Sequence, residues 1–476
     1  MRKIVIISII FMLIMPAIAT NEVVDHVNFI SNNENNGNTL YVGGNGSNNY
    51  THIQDAINDA MPGDTIFVYD DSSPYHENIV INKSINLVGE NKETTIIDGM
   101  KNGDVIKIKA NDIVIKNFTI RNGYKEWYLP NGIYINSSYN LIYNCNIFSN
   151  EFGISVAGNG CNVIENCSIY LNNYTGIALS SSNNIISNCE IYKNEKGIES
   201  GSNNKILGCR IYENEYGIWS ASNNTIKNCF IYNNKYGLEI FIAENNKVLN
   251  NCFQNDGVNV DGIKREHFIH YFRNNIINGK PLFYLFNKSN IKLEGEAGQI
   301  ILAYCKNVVI DGVKINSTDI GIEIIKCSNI SIFNCIINEN IEGIYLVEGD
   351  HIKISRNILK SNEIGIDIAL VNHTIISKNM VSYSNIALSM FLYKSKFNVV
   401  ARNNFIQNRW NVRYFVDDPF NSPSYFNMFI RNYWNRWHLI LPKPLLIFLL
   451  IPRGKFGMLF PWIKFDFLPR LFPYRW

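Results

Sequence analysis

A short phrase returns through the middle of this chain at nearly constant spacing, and that spacing limits the available folds more than any other feature. Asn-Cys occurs at Cys145, Cys167, Cys189, Cys229 and Cys252, with Gly-Cys at Cys209, at intervals of 22, 22, 20, 20 and 23 residues. A second beat falls at Gly153-Ile154, Gly176-Ile177, Gly197-Ile198, Gly217-Ile218 and Gly237-Leu238. Self-similarity at such a period marks a repeat array, in which each repeat buries its apolar face only against its neighbours.

Within the repeat from Asn183 to Asn203, Ile186, Cys189 and Ile191 are small or branched apolar residues set among polar ones. Short period-2 runs cut by Asn, Gly and Ser read as strands and turns, and no run sustains a helical spacing. A leucine-rich repeat would need leucine where this chain has Ile, Asn and Cys. The period instead allows three short strands and three corners. The expected fold is therefore all-β, a right-handed parallel β-helix whose rungs stack at roughly 4.8 Å.

The second half keeps the same time. Ile300, Ile322, Ile344, Ile366 and Leu388 form one column, and Asn307, Asn329, His351 and His373 form another. By register the latter matches Asn183, Asn203 and Asn223, and stacked Asn side chains can hydrogen-bond along a column. The six repeat cysteines are expected in one column as well. Side chains stacked in register keep their Cβ atoms near 4.8 Å, beyond the ~3.8 Å a disulfide prefers, so free thiols acting as small hydrophobes are expected. Cys305 and Cys327 should form a second stacked pair.

Taken in order, residues 1–19 have a basic start, an apolar run too short to span a bilayer and Ala-Ile-Ala, which read as a signal peptide. Residues 20–39 are a polar linker and 40–74 an N-terminal cap. In the cap Ile53, Ala56, Ile57 and Ala60 share one helical face, Thr51 is the expected N-cap, and a strand follows from Thr65 to Tyr69. The solenoid fills 75–404, with an irregular excursion near 253–299. Residues 405–476 hold five of the seven Trp and ten Lys and Arg against three Asp, an aromatic, basic C-terminal cover. Formal net charge is only +2, which gives no argument for a nucleic-acid partner. No transmembrane span is expected in the mature chain.

The opening of the solenoid, with Tyr75, Glu77, Ile79, Ile81, Lys83, Ser84, Ile85, Leu87, Gly89, Glu90, Thr95, Ile97 and Gly99, resembles that of secreted β-helix proteins of the pectin-lyase-like superfamily. Residues Ile277 to Ile315 and the repeat style resemble the NosD-like branch, with carbohydrate-binding and sugar-hydrolase type repeats. The resemblance implies an exported protein at the cell surface or envelope. A copper-accessory role comes with it by family alone, and no other cofactor is implied. The superfamily hosts lyases, hydrolases, esterases, epimerases and non-catalytic proteins, so fold does not settle activity.

Candidate chemistry is sparse. His351 and His373 lie one rung apart, and His267 and His270 form a second pair, so both are candidate metal ligands, without a Met-rich stretch beside them. Carboxylates recur at Asp70-Asp71 and Asp417-Asp418, and Glu323 and Asp367 share one rung position with Tyr345 between them. No family hydrolase, epimerase or esterase phrase accompanies them. Phe148, Tyr170, Tyr192, Tyr212 and Tyr232 each follow a repeat Cys by three residues and should form an outward aromatic ladder, a candidate platform for pyranose rings. Sequons occur at Asn45, Asn82, Asn136, Asn173 and Asn316, among others. The expectation is a non-catalytic surface protein that binds or scaffolds polysaccharide or envelope components. The alternatives are a polysaccharide lyase or hydrolase, and a copper-handling accessory.

Overall fold

The computed structural model describes residues 37–124, 129–391, 395–417, 427–435, 443–453, 456–467, 469–470 and 472–474. The apolar N-terminal segment, Asp418 and two of the C-terminal Trp, Trp437 and Trp476, lie outside these. The chain divides into two compact units, Met1–Asp256 with Val260–Asn275, and Gly257–Asn259 with Ile276–Trp476.

In the first unit short parallel strands recur rung after rung. One sheet holds eleven of them, from Thr39–Val42 to Tyr271–Arg273. Each strand points one residue type inward at a fixed register. Ile142, Ile164, Ile186, Ile206, Ile226 and Val248 form one such column, and Ile147, Ile169, Ile191, Ile211 and Ile231 another, all with no exposed surface. Burying each such side chain stabilises the stack by about 1.5–3 kcal/mol. The glycine of the Gly-Ile beat is required by distance: a Cβ on Gly153 would lie 2.5 Å from the Gly176 carbonyl oxygen, and one on Gly176 2.7 Å from that of Gly197.

The corners are held by buried amides. Asn140, Asn162, Asn184, Asn204, Asn224 and Asn246 form one ladder, in which each side-chain oxygen accepts the backbone N–H of the residue one rung earlier. A second ladder runs from Asn150 through Asn172, Asn194, Asn214 and Asn234 to Asp256. The expected column does bond in the second unit, where the Asn329 amide donates to Asn307 Oδ1 at 2.8 Å, while in the first unit Asn183, Asn203 and Asn223 lie one residue before the buried ladder. Those residues take left-handed backbone (φ 62, 62 and 59°) at exposed corners, and the next residue turns in to form the ladder. Asn tolerates that conformation better than most residues, which is why two Asn stand side by side.

All ten cysteines are free. Cys145, Cys167, Cys189, Cys209 and Cys229 are buried in one column, and burial pushes the Cys145, Cys189 and Cys229 thiols up. Cys252 is not part of it. Its strand pairs Cys252 with Phe230, and Asn251 takes the column position, accepting the Cys229 N–H at 2.9 Å. The interval of 23 residues before Cys252 is the sequence trace of that slip. Asn275 then continues the column from Asn251, so thiol and amide alternate in one structural role. In the second unit Cys305 and Cys327 stack as expected, with the Cys305 N–H donating to the Cys327 sulfur at 3.2 Å.

The cap helix is Ile53–Asp59, with Ile53, Ala56 and Ile57 buried. Thr51 is not its cap. His52 holds that position without a side-chain bond, and Glu77 accepts the Ile53 and Gln54 N–H groups at 2.8 and 2.9 Å. At the other end Lys83 donates to the carbonyls of Ile57, Asn58 and Ala60. A carboxylate at the positive end and an ammonium at the negative end complement the helix dipole. Two residues of the solenoid's opening phrase therefore clamp the lid.

Candidate functional site

In the second unit five strands, Ile320–Ile325, Glu342–Val347, Ile364–Ala369, Ile386–Phe391 and Trp410–Asp417, pair in parallel, each one rung on from the last. Ile322, Ile344, Ile366 and Leu388 point into the core without exposed surface, as the periodicity requires. Alternation then sends the following residue outward. Glu323, Tyr345, Asp367, Ser389 and Arg413 stand in one outer column.

The residue two before each inward position forms a second column: Ile320, Glu342, Ile364, Ile386 and Trp410, the first three followed by Gly-Ile. The glycine bend brings the two columns to the same side. Their counterparts in the first unit show this directly, because Tyr216 and Trp219 meet edge-on at 5.6 Å.

The outer face so built is electrostatically uneven. Burial, then the charges of Asp367 and Glu363, push the Glu342 carboxyl up to about 8, against the pull of Arg413. Its Oε2 is enclosed and has no hydrogen-bond partner among the described residues. Burial also raises Asp367, but a Ser389 hydrogen bond and the Arg413 charge oppose the rise. Arg413 in turn donates to the Ser389 hydroxyl from Nε and Nη2, at 3.3 and 3.2 Å. Burial therefore raises both carboxyls, Glu342 with its enclosed Oε2 unbonded among the described residues and Asp367 with Ser389 and Arg413 opposing the rise. Glu323, one rung before Tyr345, is fully buried, and Trp410 is 56% exposed at the far end of the face.

The pairing of Glu323, Tyr345 and Asp367 in one column was readable from spacing. Glu342 and Arg413 were not recognised. The available signal was the slot before each Gly-Ile, where Glu342 is a charge between Ile320 and Ile364. Asp70 and Asp71 lie together in the loop after Thr65–Val68, away from any repeating face, and Asp417 ends its strand.

The aromatic ladder forms as a stack. Ring centroids from Phe148 through Tyr170, Tyr192 and Tyr212 to Tyr232 are 4.9, 4.8, 4.8 and 4.6 Å apart, with planes within 20° of parallel. The three internal rings therefore cover one another's faces and offer a ligand only their edges.

The histidine pairs differ from each other. His267 Nδ1 accepts the Ile263 N–H at 3.1 Å, while His270 Nδ1 accepts the Asn246 N–H and its Nε2 meets the His267 carbonyl at 2.9 Å. Burial holds His270 down at about 4, so its ring is neutral and committed to backbone. His351 and His373 stack at 4.6 Å and 22°, and each Nδ1 lies 2.9 Å from an Asp350 carboxylate oxygen. Asp350, His351 and His373 are the one His, Cys, Asp and Glu group among the described residues with donor atoms close enough to share a metal. Phe397 continues the stack at 5.3 Å from His373.

Residues 104–253 match the family model of the right handed beta helix region, and residues 268–437 match that of the periplasmic copper-binding protein (NosD). No curated protein sequence matches the chain. Among solved structures it is similar to pectin methylesterase PemA from Erwinia chrysanthemi, at 13% identity over 41% of this chain and 79% of that one, with a TM-score of 0.34. It is also similar to pectate lyase Pel9A, at 15% identity over 70% and 78%, with a TM-score of 0.30. The A-module of the Azotobacter vinelandii mannuronan C-5 epimerase AlgE4 matches at 12% identity over 75% and 91%, with a TM-score of 0.30. Among the described residues no helix is long and apolar enough to cross a membrane. The two family matches fall on successive stretches of the chain, and each unit is built of parallel β rungs, so the chain is similar to right handed beta helix and NosD proteins.

Proposed function

We propose that the protein is exported and acts on a polysaccharide strand laid along this outer face of the second unit. The observation that carries the reading is the enclosed Glu342 carboxyl beside Asp367 and Arg413, on the face that also presents Tyr345 and Trp410. Tyr345 and Trp410 supply aromatic surface for the apolar sides of sugar rings. Glu342, protonated at neutral pH, donates its proton to a glycosidic oxygen, and water completes the cleavage. Asp367, with Ser389 and Arg413 opposing its rise, stabilises positive charge at the sugar carbon or activates that water. This reading favours the hydrolase alternative over a passive scaffold because a scaffold gains nothing from an enclosed carboxyl without a partner. The apolar N-terminal run and the match to a periplasmic family support export.

New reducing ends from a polysaccharide panel test it. Wild-type protein should release them, while Glu342→Gln and Asp367→Asn should bind the same polymer and release none. Binding without turnover by the wild type would return the protein to a scaffold that holds polysaccharide. Neither binding nor turnover would overturn the reading altogether.

Asp350, His351 and His373 favour a second reading, a metal-handling corner in the NosD-matched stretch. One carboxylate and two imidazoles suit Cu(II), Ni(II) or Zn(II). As built they fit poorly, because rings stacked within 22° of parallel point their donors side by side instead of at one ion. Protein purified without chelators and analysed for copper, nickel and zinc decides it; no stoichiometric metal removes this reading and leaves the first untouched.

A further inference from the structure

The outer side of the second unit changes character after Trp410–Asp417. That strand pairs in parallel with Lys443–Arg453, and Phe456–Phe467 folds back antiparallel along Lys443–Arg453 to make a hairpin. Met390 and Tyr414 are register partners in the core, each 1% exposed, so Phe391 and Phe415, the next residues along, stand in the outer register. Phe448 pairs with Phe415 and continues that outer column. Strand alternation puts Leu446 and Leu450 on the same face, joined by the antiparallel partners Ile463, Pro461 and Leu459. From Pro444 to Pro452 and from Gly457 to Phe465 this face carries no residue type with a charge or a side-chain hydrogen bond to offer. Two residues before Phe391 and Phe415 the outer register holds Ser389 and Arg413; two before Phe448 it holds Leu446. Polar rungs give way to an apolar sheet.

Covering the last rung needs only the face that continues the Met390 and Tyr414 column. The second apolar face is surplus to that task. The hairpin is also held at its base. Asp466, fully buried, accepts the Asn432 N–H at 3.1 Å, the Asn432 amide at 3.2 Å and the Trp434 indole N–H at 2.7 Å. It takes the next place in the ladder of Asn379, Asn403 and Asn432. Beyond the hairpin, Tyr474 exchanges two hydrogen bonds of 2.9 Å with Asn404, so the following segment is tied down as well.

Charge and edge geometry select the partner. Residues 405–476 hold ten Lys and Arg against three Asp, a balance of +7 where the whole chain has +2. A face without side-chain hydrogen-bonding groups gives a protein partner no directional contact, whereas acyl chains need none, and a basic surround attracts anionic headgroups. Among the described residues Phe456 to Phe465 pair with no strand on their other side. An open edge does not enter hydrocarbon, so the hairpin lies along a bilayer and does not cross it.

We propose that the outer face of this hairpin docks the protein on a bilayer surface rich in anionic lipid, with its apolar residues at the acyl boundary and the surrounding basic residues at the headgroups. The attachment adds a lipid partner and does not rest on the reading of Glu342.

Vesicle flotation tests the proposal. Protein beginning at Thr20 keeps every described residue, while the apolar N-terminal run contributes nothing. It should float with vesicles of phosphatidylglycerol and phosphatidylcholine in equal parts. Binding should be at least about tenfold weaker to phosphatidylcholine alone, and likewise in about 0.5 M salt. Phe448→Glu should weaken binding at least about tenfold and Arg453→Glu at least about fivefold, while Phe448→Leu and Asp367→Asn should leave it unchanged. Arg453→Glu lies outside the apolar face and reads the attachment even if Phe448→Glu melts early. No binding to anionic vesicles, equal binding to neutral ones, or full binding by both Glu variants would overturn the proposal. So would a dimer in lipid-free solution that Phe448→Glu dissociates, which would assign the face to a second copy of the chain.

Discussion

In the first unit the outer positions of successive rungs satisfy one another. Phe148, Tyr170, Tyr192, Tyr212 and Tyr232 stack face to face, and charges alternate in sign from rung to rung: Arg210 meets Glu190 at 3.3 Å and Lys235 meets Glu215 at 3.2 Å. In the second unit a different strand of each rung, one residue after the inward Ile322, Ile344, Ile366, Leu388 and Val412, carries Glu323, Tyr345, Asp367, Ser389 and Arg413, no two alike, with Glu342 beside them. Both units have the same inward isoleucines. The inner half of a rung is fixed by packing; the outer half is free to vary, and function belongs where neighbouring rungs stop repeating. A uniform column stabilises the stack, whereas a mixed column places different chemistries about one strand spacing apart.

The sharpest way to break this comparison is to open a corner common to both units. Asn194→Ala should cost at least about 3 kcal/mol, since each orphaned buried polar group costs roughly 1–3 kcal/mol. Asn194 accepts from Asn172 and donates to the Ile169 and Tyr192 carbonyls and the Asn214 side chain. Denaturant unfolding measures it. Asn340→Ala, whose side chain donates only to Asn362, should cost less.

Next in size is the outer face. Glu342→Gln should lower turnover by about 100-fold or more, the usual range for a lost general acid. Wild-type activity should fall as pH rises through about 8, where Glu342 loses its proton. The same group sets a stability slope. Its folded pKa lies above the ordinary 4.5, so its contribution is complete below 4.5 and is lost as pH rises toward 8. Melting curves across that window should flatten in Glu342→Gln, and an unchanged slope would show that Glu342 is not held protonated.

Trp410→Ala should weaken polymer binding roughly tenfold, about 1.4 kcal/mol, without changing the melting temperature much. Tyr192→Ala should do the reverse. It should cost about 1 kcal/mol of stability for the lost stacking and leave polymer binding intact. If Tyr192→Ala paired with Tyr212→Ala abolished binding, the ladder and not the second unit's face would be the binding surface.

The sequence carried the periodic part of this protein. The inward columns, the stacked thiols, the ring ladder and the shared column of Glu323, Tyr345 and Asp367 follow from a 22-residue period, because stacking turns sequence distance directly into neighbourhood. It failed where a single residue of slip changes the outcome. Cys252 left its column after an interval of 23 residues, and the buried ladder runs through Asn184, Asn204 and Asn224, one place beyond the Asn column that spacing suggested. Tertiary structure alone decided three things. Glu77 and Lys83 clamp a helix some 24 residues away, the glycine bend puts Glu342 beside Asp367, and the last hairpin sets Phe448 in the outer register after Phe415. Each depends on how a corner turns, and a corner's dihedral angles are not encoded in the spacing of the strands it joins.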